Sequence, residues 1–370
     1  MRDQRIEQLA KTLVNYSLKV QKGEVVVVQG PIESKFLILE ILKEINRIEA
    51  IPRVRIIDPD VDRLNLLGLD DKRVERMQKW GREIYNDADC SIRIGASNND
   101  YANVDVPSDI MTTLSKSMRE VSNIMLNKRW VLLDYPTPAQ AQKAKMSNEA
   151  FFDYVLEVSN VDYSKMNEAF KPLKELMERT DKVRITGPGT DLNFSIKGLP
   201  SIPCPGDCNI PDGEIFSAPV KDSVNGTIQY NTPSPQRGDV YENVKLTFEH
   251  GKIIEATCEN GDIEKLNQIF DTDEGSRYVG EFAIGVNPLI TRPMGNILFD
   301  EKIAGSIHFT PGMCYDECNN GNNSAVHWDL VLIQTPEFGG GEIYFDDILI
   351  RKDGIFVVKE LLGLNPENLI

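Results

Sequence analysis

Residues 24–57 read EVVVVQGPIESKFLILEILKEINRIEAIPRVRII and indicate the architecture of the first half of the chain. The apolar run from Glu24 to Gly30 has the length of a buried strand and is followed by a Gly-Pro turn. Apolar residues at helical spacing predict a helix from about Lys35 to Ile48, and a second strand is predicted from Pro52 to Ile57. Helices that alternate with short apolar strands predict a parallel sheet with helices on its faces.

The same alternation continues on both sides of this stretch. Residues 3–22 have helical spacing, and residues 137–179 look helical and charged. We therefore predict an α/β N-terminal domain with a largely parallel sheet over residues 1–180. Between those two segments the sequence predicts further helices at about Asp70–Ala88 and Asp109–Asn127 and further strands at Cys90–Gly95 and Trp130–Tyr135.

The composition of the segments changes after residue 180. Strings such as KVRITG, DLNFSIKG, EIFSAPV, GTIQYN, VKLTFEHGKIIEATCE and EIYFDDILI alternate polar and apolar residues, as antiparallel strands do. A helix is expected near Asp262 to Phe270. The sequence thus predicts a mainly β (α+β) C-terminal domain over residues 181–370.

Composition and charge exclude several classes of protein. The chain has 370 residues and a formal net charge of -16, and this acidic excess would repel the phosphate backbone of a nucleic acid. No apolar run approaches the roughly 20 residues that span a bilayer, and the N-terminus lacks the apolar core of a signal peptide. We therefore expect no nucleic acid or membrane partner and a cytoplasmic location.

Six cysteines are too few for a disulfide scaffold, and we interpret them as reduced thiols. Cys204 with Cys208 and Cys314 with Cys318 share one spacing, which leaves open a four-thiolate zinc site. Packed or partly exposed thiols are the alternative that this loose spacing favours.

Histidine is the scarcest chemically active residue, because the chain has three. Two of them, His308 and His327, lie in one segment. In the string SAVHWDLVLI, a strand would place His327 and Asp329 on one face. Imidazole and carboxylate are both zinc-type ligands, although a surface strand with outward polar residues has the same pattern.

Two glutamates precede or open apolar strands. Glu214 follows a Pro-Asp-Gly turn in NIPDGEIFSAP, and Glu281 follows a glycine in RYVGEFAIGV. A carboxylate at the start of a buried strand is costly unless it is paired or binds a metal. An exposed strand end would explain either glutamate equally well.

Four strings in this order and spacing, NIPDGEIFSAPV, RYVGEFAIGVNP, ILFDEKIAGSIHF and NNSAVHWDLVLI, resemble the M29 family of metallo-aminopeptidases, also called the aminopeptidase T family. The likeness extends over nearly the whole chain and includes the string RITGPGTDLNFSI. The resemblance implies hydrolysis of the N-terminal peptide bond of peptides with a free N-terminus, and it implies a homodimer.

The resemblance also implies a site with two divalent metal ions per chain, Zn²⁺, Co²⁺, Mg²⁺ or Mn²⁺, and a metal-bridging water as nucleophile. Glu281 would bridge the ions and, with Tyr315, act in catalysis, the tyrosine either as a ligand or as a donor to the oxyanion. Glu301 matches an acidic position of the family, with a gap to His308 two residues longer than the family pattern. The implied metal ligands are Glu214, Glu281, Glu301, His308, His327 and Asp329.

Electrostatics favours such a set, because the carboxylates of Glu214, Glu281 and Asp329 and one hydroxide would balance two divalent ions. Two other functions remain open from the sequence. One is a metal-binding or peptide-binding protein on the same scaffold that does not turn over substrate. The other is a cysteine-dependent hydrolase in which Cys314 or Cys318 pairs with His308 or His327. His250, in FEHGKII, is interpreted as a solvated turn residue.

Overall fold

The computed structural model describes residues 3–99 and 101–370. Its contacts group the chain into two compact units. The first contains the residues through 160 and the segment 206–211, and the second contains residues 161–205 and 212–370. The predicted domain boundary near residue 180 stays a prediction, and the helix over residues 161–179 groups with the second unit.

The first 160 residues contain the helices and strands that the alternating pattern predicts. A π-helical turn, Thr12–Ser17, continues the first helix. The elements are α1 (Gln4–Lys11), β1 (Val25–Pro31), α2 (Lys35–Arg47), β2 (Ile51–Ile57), α3 (Pro59–Leu67), α4 (Asp71–Asp87), β3 (Cys90–Gly95), α5 (Ser108–Leu126), β4 (Arg129–Asp134), α6 (Pro138–Lys143) and α7 (Asn148–Ser159).

From residue 161 onward short strands dominate. The elements are α8 (Tyr163–Arg179), β5 (Lys182–Gly187), β6 (Thr190–Ser195), β7 (Ile202–Cys204), β8 (Asn209–Ile210), β9 (Glu214–Ser217), β10 (Asn225–Gln229), β11 (Ser234–Gln236), β12 (Asp239–Tyr241), β13 (Lys245–Glu249), β14 (Lys252–Thr257), α9 (Ile263–Phe270), β15 (Val279–Gly285), α10 (Ile297–Asp300), β16 (Ser306–Pro311), β17 (Val331–Ile333), β18 (Glu342–Phe345), β19 (Ile348–Lys352), β20 (Ile355–Phe356) and α11 (Pro366–Leu369).

The first unit is built on a parallel sheet, as predicted. Its strand order is β2-β1-β3-β4-β8, and every pairing between neighbours is parallel. In α2 the residues Leu37, Ile38, Ile41 and Ile45 are buried, which is the spacing of one helix face. The apolar stripe of α2 therefore accounts for its position on the sheet.

Two features of this unit differ from the sequence-based expectation. Helix α3 begins after Asp58, whose carboxylate accepts hydrogen bonds from the backbone N–H groups of Asp60 and Val61. None of its residues is buried, so it has no core-facing stripe that a periodicity search would find. Strand β8 comes from residues 206–211 and extends the sheet as its fifth strand, a long-range pairing that no local pattern predicts.

The second unit has the antiparallel sheets that the alternating strings predict. One sheet has the order β14-β13-β10-β6-β5-β18-β19-β20 and another has the order β17-β16-β15-β9-β7. The predicted helix near residue 262 is α9, and Asp262 caps its N-terminus. The fold class predicted from the sequence is therefore confirmed.

A core of aromatic rings lies behind the second of these sheets. Phe309 is fully buried, and its ring centroid lies 5.0 Å from that of Phe194, 6.0 Å from that of Phe248 and 6.3 Å from that of Phe282. Phe282 directly follows Glu281, and Phe309 directly follows His308, so both rings point to the opposite face of the sheet. This core fixes the sheet from behind.

No helix of the described residues is long and apolar enough to cross a membrane.

The aromatic core makes a prediction about stability. Substitution Phe309→Ala removes a fully buried ring and should lower the free energy of unfolding by about 3–5 kcal/mol. Urea unfolding of the metal-free protein, followed by tryptophan fluorescence, would measure it. Ile254→Ala, on the exposed side of β14 with 51% of the residue accessible, is the control and should change stability by less than about 0.5 kcal/mol. Equal effects of the two substitutions would contradict the assignment of this core.

Candidate metal centre

Three neighbouring strands place acidic and imidazole side chains on one face of their sheet. In the pairing of β15 with β16, Ala283 lies opposite His308 and Glu281 lies opposite Thr310. In the pairing of β15 with β9, Gly285 lies opposite Glu214. Because side chains alternate along a strand and match across a pair, these residues share the face that is turned away from the aromatic core.

Glu214, Glu281 and His308 are all buried on this face. His308 Nε2 lies 3.3 Å from Glu214 Oε2 and 3.4 Å from Glu281 Oε1. Ala283, between them in the register, adds only a methyl group. The polar groups therefore flank an apolar patch of this face, which Ala283 forms with Phe216 on β9.

His327 and Asp329 reach the same place, although not on the strand predicted for them. The strand β17 begins at Val331, and His327 instead forms an isolated antiparallel bridge with Gly312. Gly312 has φ +110°, and a Cβ there would lie 2.0 Å from the Val326 carbonyl oxygen. The glycine thus permits the close approach that brings His327 to the site, and burial still alternates along residues 326–330.

The hydrogen bond of the other ring nitrogen fixes the tautomer of His327. Its Nδ1 lies 2.8 Å from the backbone carbonyl oxygen of Met313, which can only accept, so Nδ1 carries the proton. In the neutral ring Nε2 is then a free lone pair, and this atom has no hydrogen-bond partner. Imidazole ligands of metals are commonly oriented in this way.

Glu281 lies between the two histidines. Its Oε1 faces His308 Nε2 at 3.4 Å, and its Oε2 faces His327 Nε2 at 3.3 Å. Asp329 Oδ1 lies 3.2 Å from the same Nε2 atom of His327 and accepts a hydrogen bond of 2.8 Å from the Thr310 hydroxyl. The two oxygens of one carboxylate are thus directed toward two different imidazoles.

Glu301 also joins the cluster, from the C-terminal end of α10. One of its carboxylate oxygens lies within 4.8 Å of a Glu214 oxygen and of a ring nitrogen of His308. The longer sequence gap between Glu301 and His308 does not prevent this approach. Glu301 Oε1 lies 2.7 Å from the ammonium of Lys302. All six ligands predicted from the sequence therefore lie in one region of the second unit.

Two residues of this region were not identified from the sequence. Lys302 is fully buried, and its Nζ lies 2.5 Å from Glu214 Oε1 and 3.6 Å from Asp212 Oδ1. The second is Asp212, two positions before Glu214 in the string PDGE, while Lys302 directly follows Glu301 in the string DEK. Neither string shows that the two side chains meet, because 90 positions separate them.

Tyr315 stands at the rim of the cluster. Its ring centroid lies 4.9 Å from that of His327 and 5.3 Å from that of Phe216, and 44% of the residue is accessible. Burial and the nearby carboxylates, Glu281 first among them, raise the pKa of its phenol. Tyr315 is thus a neutral phenol that solvent can reach.

The pKa values of the histidines report a strongly negative environment. Burial alone would lower the pKa of His308, but the carboxylates of Glu214 and Glu281 outweigh it and raise the pKa to about 10. Burial is likewise outweighed at His327, where Asp329 and Glu281 raise the pKa to about 11. The carboxylates of the cluster therefore favour positive charge nearby, and in the absence of another cation the two imidazoles bind protons.

The donor set fits divalent metal ions. Two groups of three residues have ligand atoms that lie, within each group, no more than 4.8 Å from one another. One group is Glu214, Glu301 and His308, and the other is Glu281, His308 and Asp329. Glu214 Oε2 is buried without a hydrogen-bond partner, as is the Nε2 atom of His327. Buried polar atoms without partners are costly, and a metal ion would satisfy both of them.

The remaining residues considered from the sequence lie elsewhere. His250 is exposed in the turn between β13 and β14, as predicted. All six cysteines are free thiols, and in the described part of the chain no candidate metal group contains more than one of them. Burial raises the pKa of Cys318 to about 12, and Cys314 donates a hydrogen bond to the Asn322 carbonyl. The thiols therefore lack the features of a nucleophile or a four-cysteine site.

A buried cluster of carboxylates and histidines is the type of donor set that metal-dependent hydrolases use. The chain belongs to the M29 family of thermophilic metalloproteases, whose family model matches residues 2–339. The resemblance noted in the sequence is thereby confirmed, as is the expected enzyme class, a metallo-aminopeptidase that hydrolyses peptide bonds.

Several curated relatives have names that agree with this membership. Aminopeptidase 2 of Geobacillus stearothermophilus is 22% identical over 95% of each chain. Aminopeptidase T of Thermus aquaticus is 23% identical over 94% of this chain and 95% of its own. Aminopeptidase AmpS of Bacillus subtilis is 37% identical, over 29% of this chain and 26% of its own. Full-length similarity to such relatives supports the family assignment.

A solved structure, wild-type AmpT from Thermus thermophilus, has the same fold. The TM-score is 0.79 at 22% identity, and the match covers 96% of this chain and 99% of that one.

The Thr310 hydroxyl provides a test of the site's geometry. Substitution Thr310→Val removes the hydrogen bond that orients Asp329 and should weaken metal binding by about 10-fold. Competition with a chromogenic chelator would measure the dissociation constant. Thr227→Val is the control, because Thr227 pairs with the Thr247 hydroxyl on strands outside this sheet. The same affinity in both variants would contradict the role of Asp329 as a ligand.

Proposed function

We propose that this protein is an aminopeptidase with a dinuclear metal centre that hydrolyses the first peptide bond of peptides. Six side chains would hold the two ions. One observation carries the proposal, namely that the two oxygens of Glu281 face different histidines, His308 and His327. A carboxylate in that position is suited to bridge two ions. The ligands would be Glu214, Glu281, Glu301, His308, His327 and Asp329.

The charges of the region support two ions. The region holds one buried ammonium, that of Lys302, which contacts three carboxylates. In all it holds five carboxylates, those of Asp212, Glu214, Glu281, Glu301 and Asp329. With neutral histidines and ionised carboxylates, four negative charges remain, and two divalent cations balance them. A single ion would leave a negative charge excess in a buried place, which is costly.

When bound, two such ions activate a water molecule as the nucleophile and polarise the peptide carbonyl. The protein side chains have distinct parts in this proposal. Glu281 would hold both ions through its two oxygens, and the proton that the attacking water loses would end on the leaving amine. Tyr315, half-exposed beside His327, would donate its O–H to the carbonyl oxygen as negative charge develops there. Its other possible part, as a ligand through its oxygen, is distinguished by the cobalt spectrum of Tyr315→Phe.

Restriction to the N-terminal residue is proposed from the names of the relatives. A free α-amino group would be bound by a carboxylate or an ion of the centre, so that only the first carbonyl reaches the attacking water. Zn²⁺, Co²⁺, Mg²⁺ and Mn²⁺ all fit oxygen and nitrogen ligands of this kind. The homodimer and the cytoplasmic location stay predictions.

Metal content and activity together test this function. We expect about two equivalents of metal per chain by elemental analysis of the purified protein. Hydrolysis of an N-terminal aminoacyl chromogenic substrate should be lost with a chelator and restored by Zn²⁺ or Co²⁺. The N-acetylated substrate is the control and should not be cleaved.

Three results would contradict the proposal in different ways. Metal binding without turnover would indicate a binding protein on the same scaffold. Activity that resists chelation and is lost on thiol alkylation would indicate a cysteine hydrolase. Cleavage of the N-acetylated substrate would refute the restriction to a free N-terminus.

The bridging position of Glu281 makes a further prediction. Glu281→Gln removes one negative charge and one ligand oxygen, so the variant should lose at least one equivalent of metal and at least about 100-fold in activity. Elemental analysis and the chromogenic assay would measure both. Glu255→Gln, at an exposed position of β14, is the matched control and should leave both unchanged. Full metal content in Glu281→Gln would refute the bridge.

A further inference from the structure

Lys302 is a cation built into the centre of the carboxylate cluster. Its side chain is completely inaccessible to solvent, and its Nζ contacts three carboxylates. Burial would lower the pKa of this amine, but Glu214, Glu301 and Asp212 hold it well above the usual range. Three carboxylates around one buried amine thus favour its charged form.

The contact with Glu214 determines how that carboxylate is directed. Glu214 Oε1 lies 2.5 Å from Lys302 Nζ, whereas Oε2 has no hydrogen-bond partner and lies 3.3 Å from His308 Nε2. With one oxygen held by an ion pair, the carboxylate cannot rotate freely. The unpaired oxygen is thus kept on the side of the histidine.

The same ammonium holds a second carboxylate. Glu301 Oε1 lies 2.7 Å from Nζ, so Glu214 and Glu301 are linked through one charge. The backbone of Lys302 is itself fixed, since its N–H donates to the Phe299 carbonyl and its carbonyl accepts from the Asn287 N–H. The ammonium therefore stands at a defined place relative to both carboxylates.

Lys302 also occupies a further position suited to a cation. The ligand atoms of Cys204, Asp212 and Glu214 lie within 4.8 Å of one another, as a metal site requires. Lys302 Nζ contacts the carboxylates of Asp212 and Glu214. This group thus already has its positive charge, and the other two groups remain for metal ions.

We propose that Lys302 is a positioning residue of the metal centre, whose ammonium fixes Glu214 with its free oxygen toward His308 and holds Glu301 beside it. This inference rests on the proposed function, because it requires that the cluster binds metal. The lysine is fully buried and contacts the carboxylates of the cluster. Its effect is therefore expected on metal affinity in the first place.

The test is the metal affinity of Lys302→Met, which keeps the length of the side chain and removes the charge. Metal-free protein is titrated with Zn²⁺ in competition with a chromogenic chelator, and the visible spectrum of the Co²⁺ form is recorded. We expect binding of the weaker ion to fall by about 10–100-fold, as for other residues that orient metal ligands. The cobalt spectrum should change, because the direction of Glu214 changes.

Arg351→Met is the matched control for the loss of a buried cation. Arg351 is 1% exposed and donates to the Ser306 carbonyl and the Gln334 side chain, both neutral groups. Its loss should destabilise the fold and leave metal affinity and the cobalt spectrum unchanged. Circular dichroism of each metal-free variant shows that it is folded.

The outcomes separate this inference from the function on which it rests. If the unsubstituted chain binds no metal, the proposed function fails. If it binds two ions and Lys302→Met binds them as tightly or more tightly, the positioning role alone is refuted. Should Lys302→Met not fold, Lys302→Arg decides, because its bulkier guanidinium must displace Glu214. An affinity and a cobalt spectrum equal to those of the unsubstituted chain would then refute the role.

Discussion

Carboxylates that are buried close together repel one another, and in the second unit this repulsion has to be offset by positive charge. Glu214 and Glu281 are almost inaccessible to solvent and stand on adjacent strands. Ionised groups persist in such a place only beside cations, because water is not there to solvate them. Lys302 supplies one positive charge, and the raised pKa values of His308 and His327 show that more is needed. The affinity of the centre for metal ions follows from this imbalance.

The sheet makes the imbalance tolerable by separating two environments. Along β15 and β16 the side chains alternate between the carboxylate face and a core of phenylalanine rings. Phe282 and Phe309 hold the strands in register from one side, while Glu281 and His308 are displayed on the other. Rigid strands of this kind position ligands better than loops do. The packing of the aromatic face therefore stabilises the strands that display the site.

Sequence patterns predicted the parts of this molecule that depend on local periodicity or on family motifs. The strands β1 to β4 and the helix α9 follow apolar spacing. The alternation of helices with β1 to β4 predicted the parallel sheet. Motifs indicated six candidate ligands, and the structure brings these side chains into one cluster. Lys302 was missed because its meeting with Glu214 depends on the tertiary fold, and α3 was missed because it buries no apolar stripe. His327 was expected on a strand, whereas a glycine-dependent bridge to Gly312 positions it.

The short strand β8 has a consequence for how the polypeptide is assembled. The chain completes its first sheet with residues that follow the 45 positions of the segment 161–205 of the second unit, and two residues after β8 it reaches Asp212. Neither unit is thus one continuous piece of sequence. A polypeptide cut after residue 180 would leave the backbone groups of β4 unpaired along one side, and such open edges recruit other chains. During synthesis, β4 has no neighbour on its outer side until residue 210 has been added.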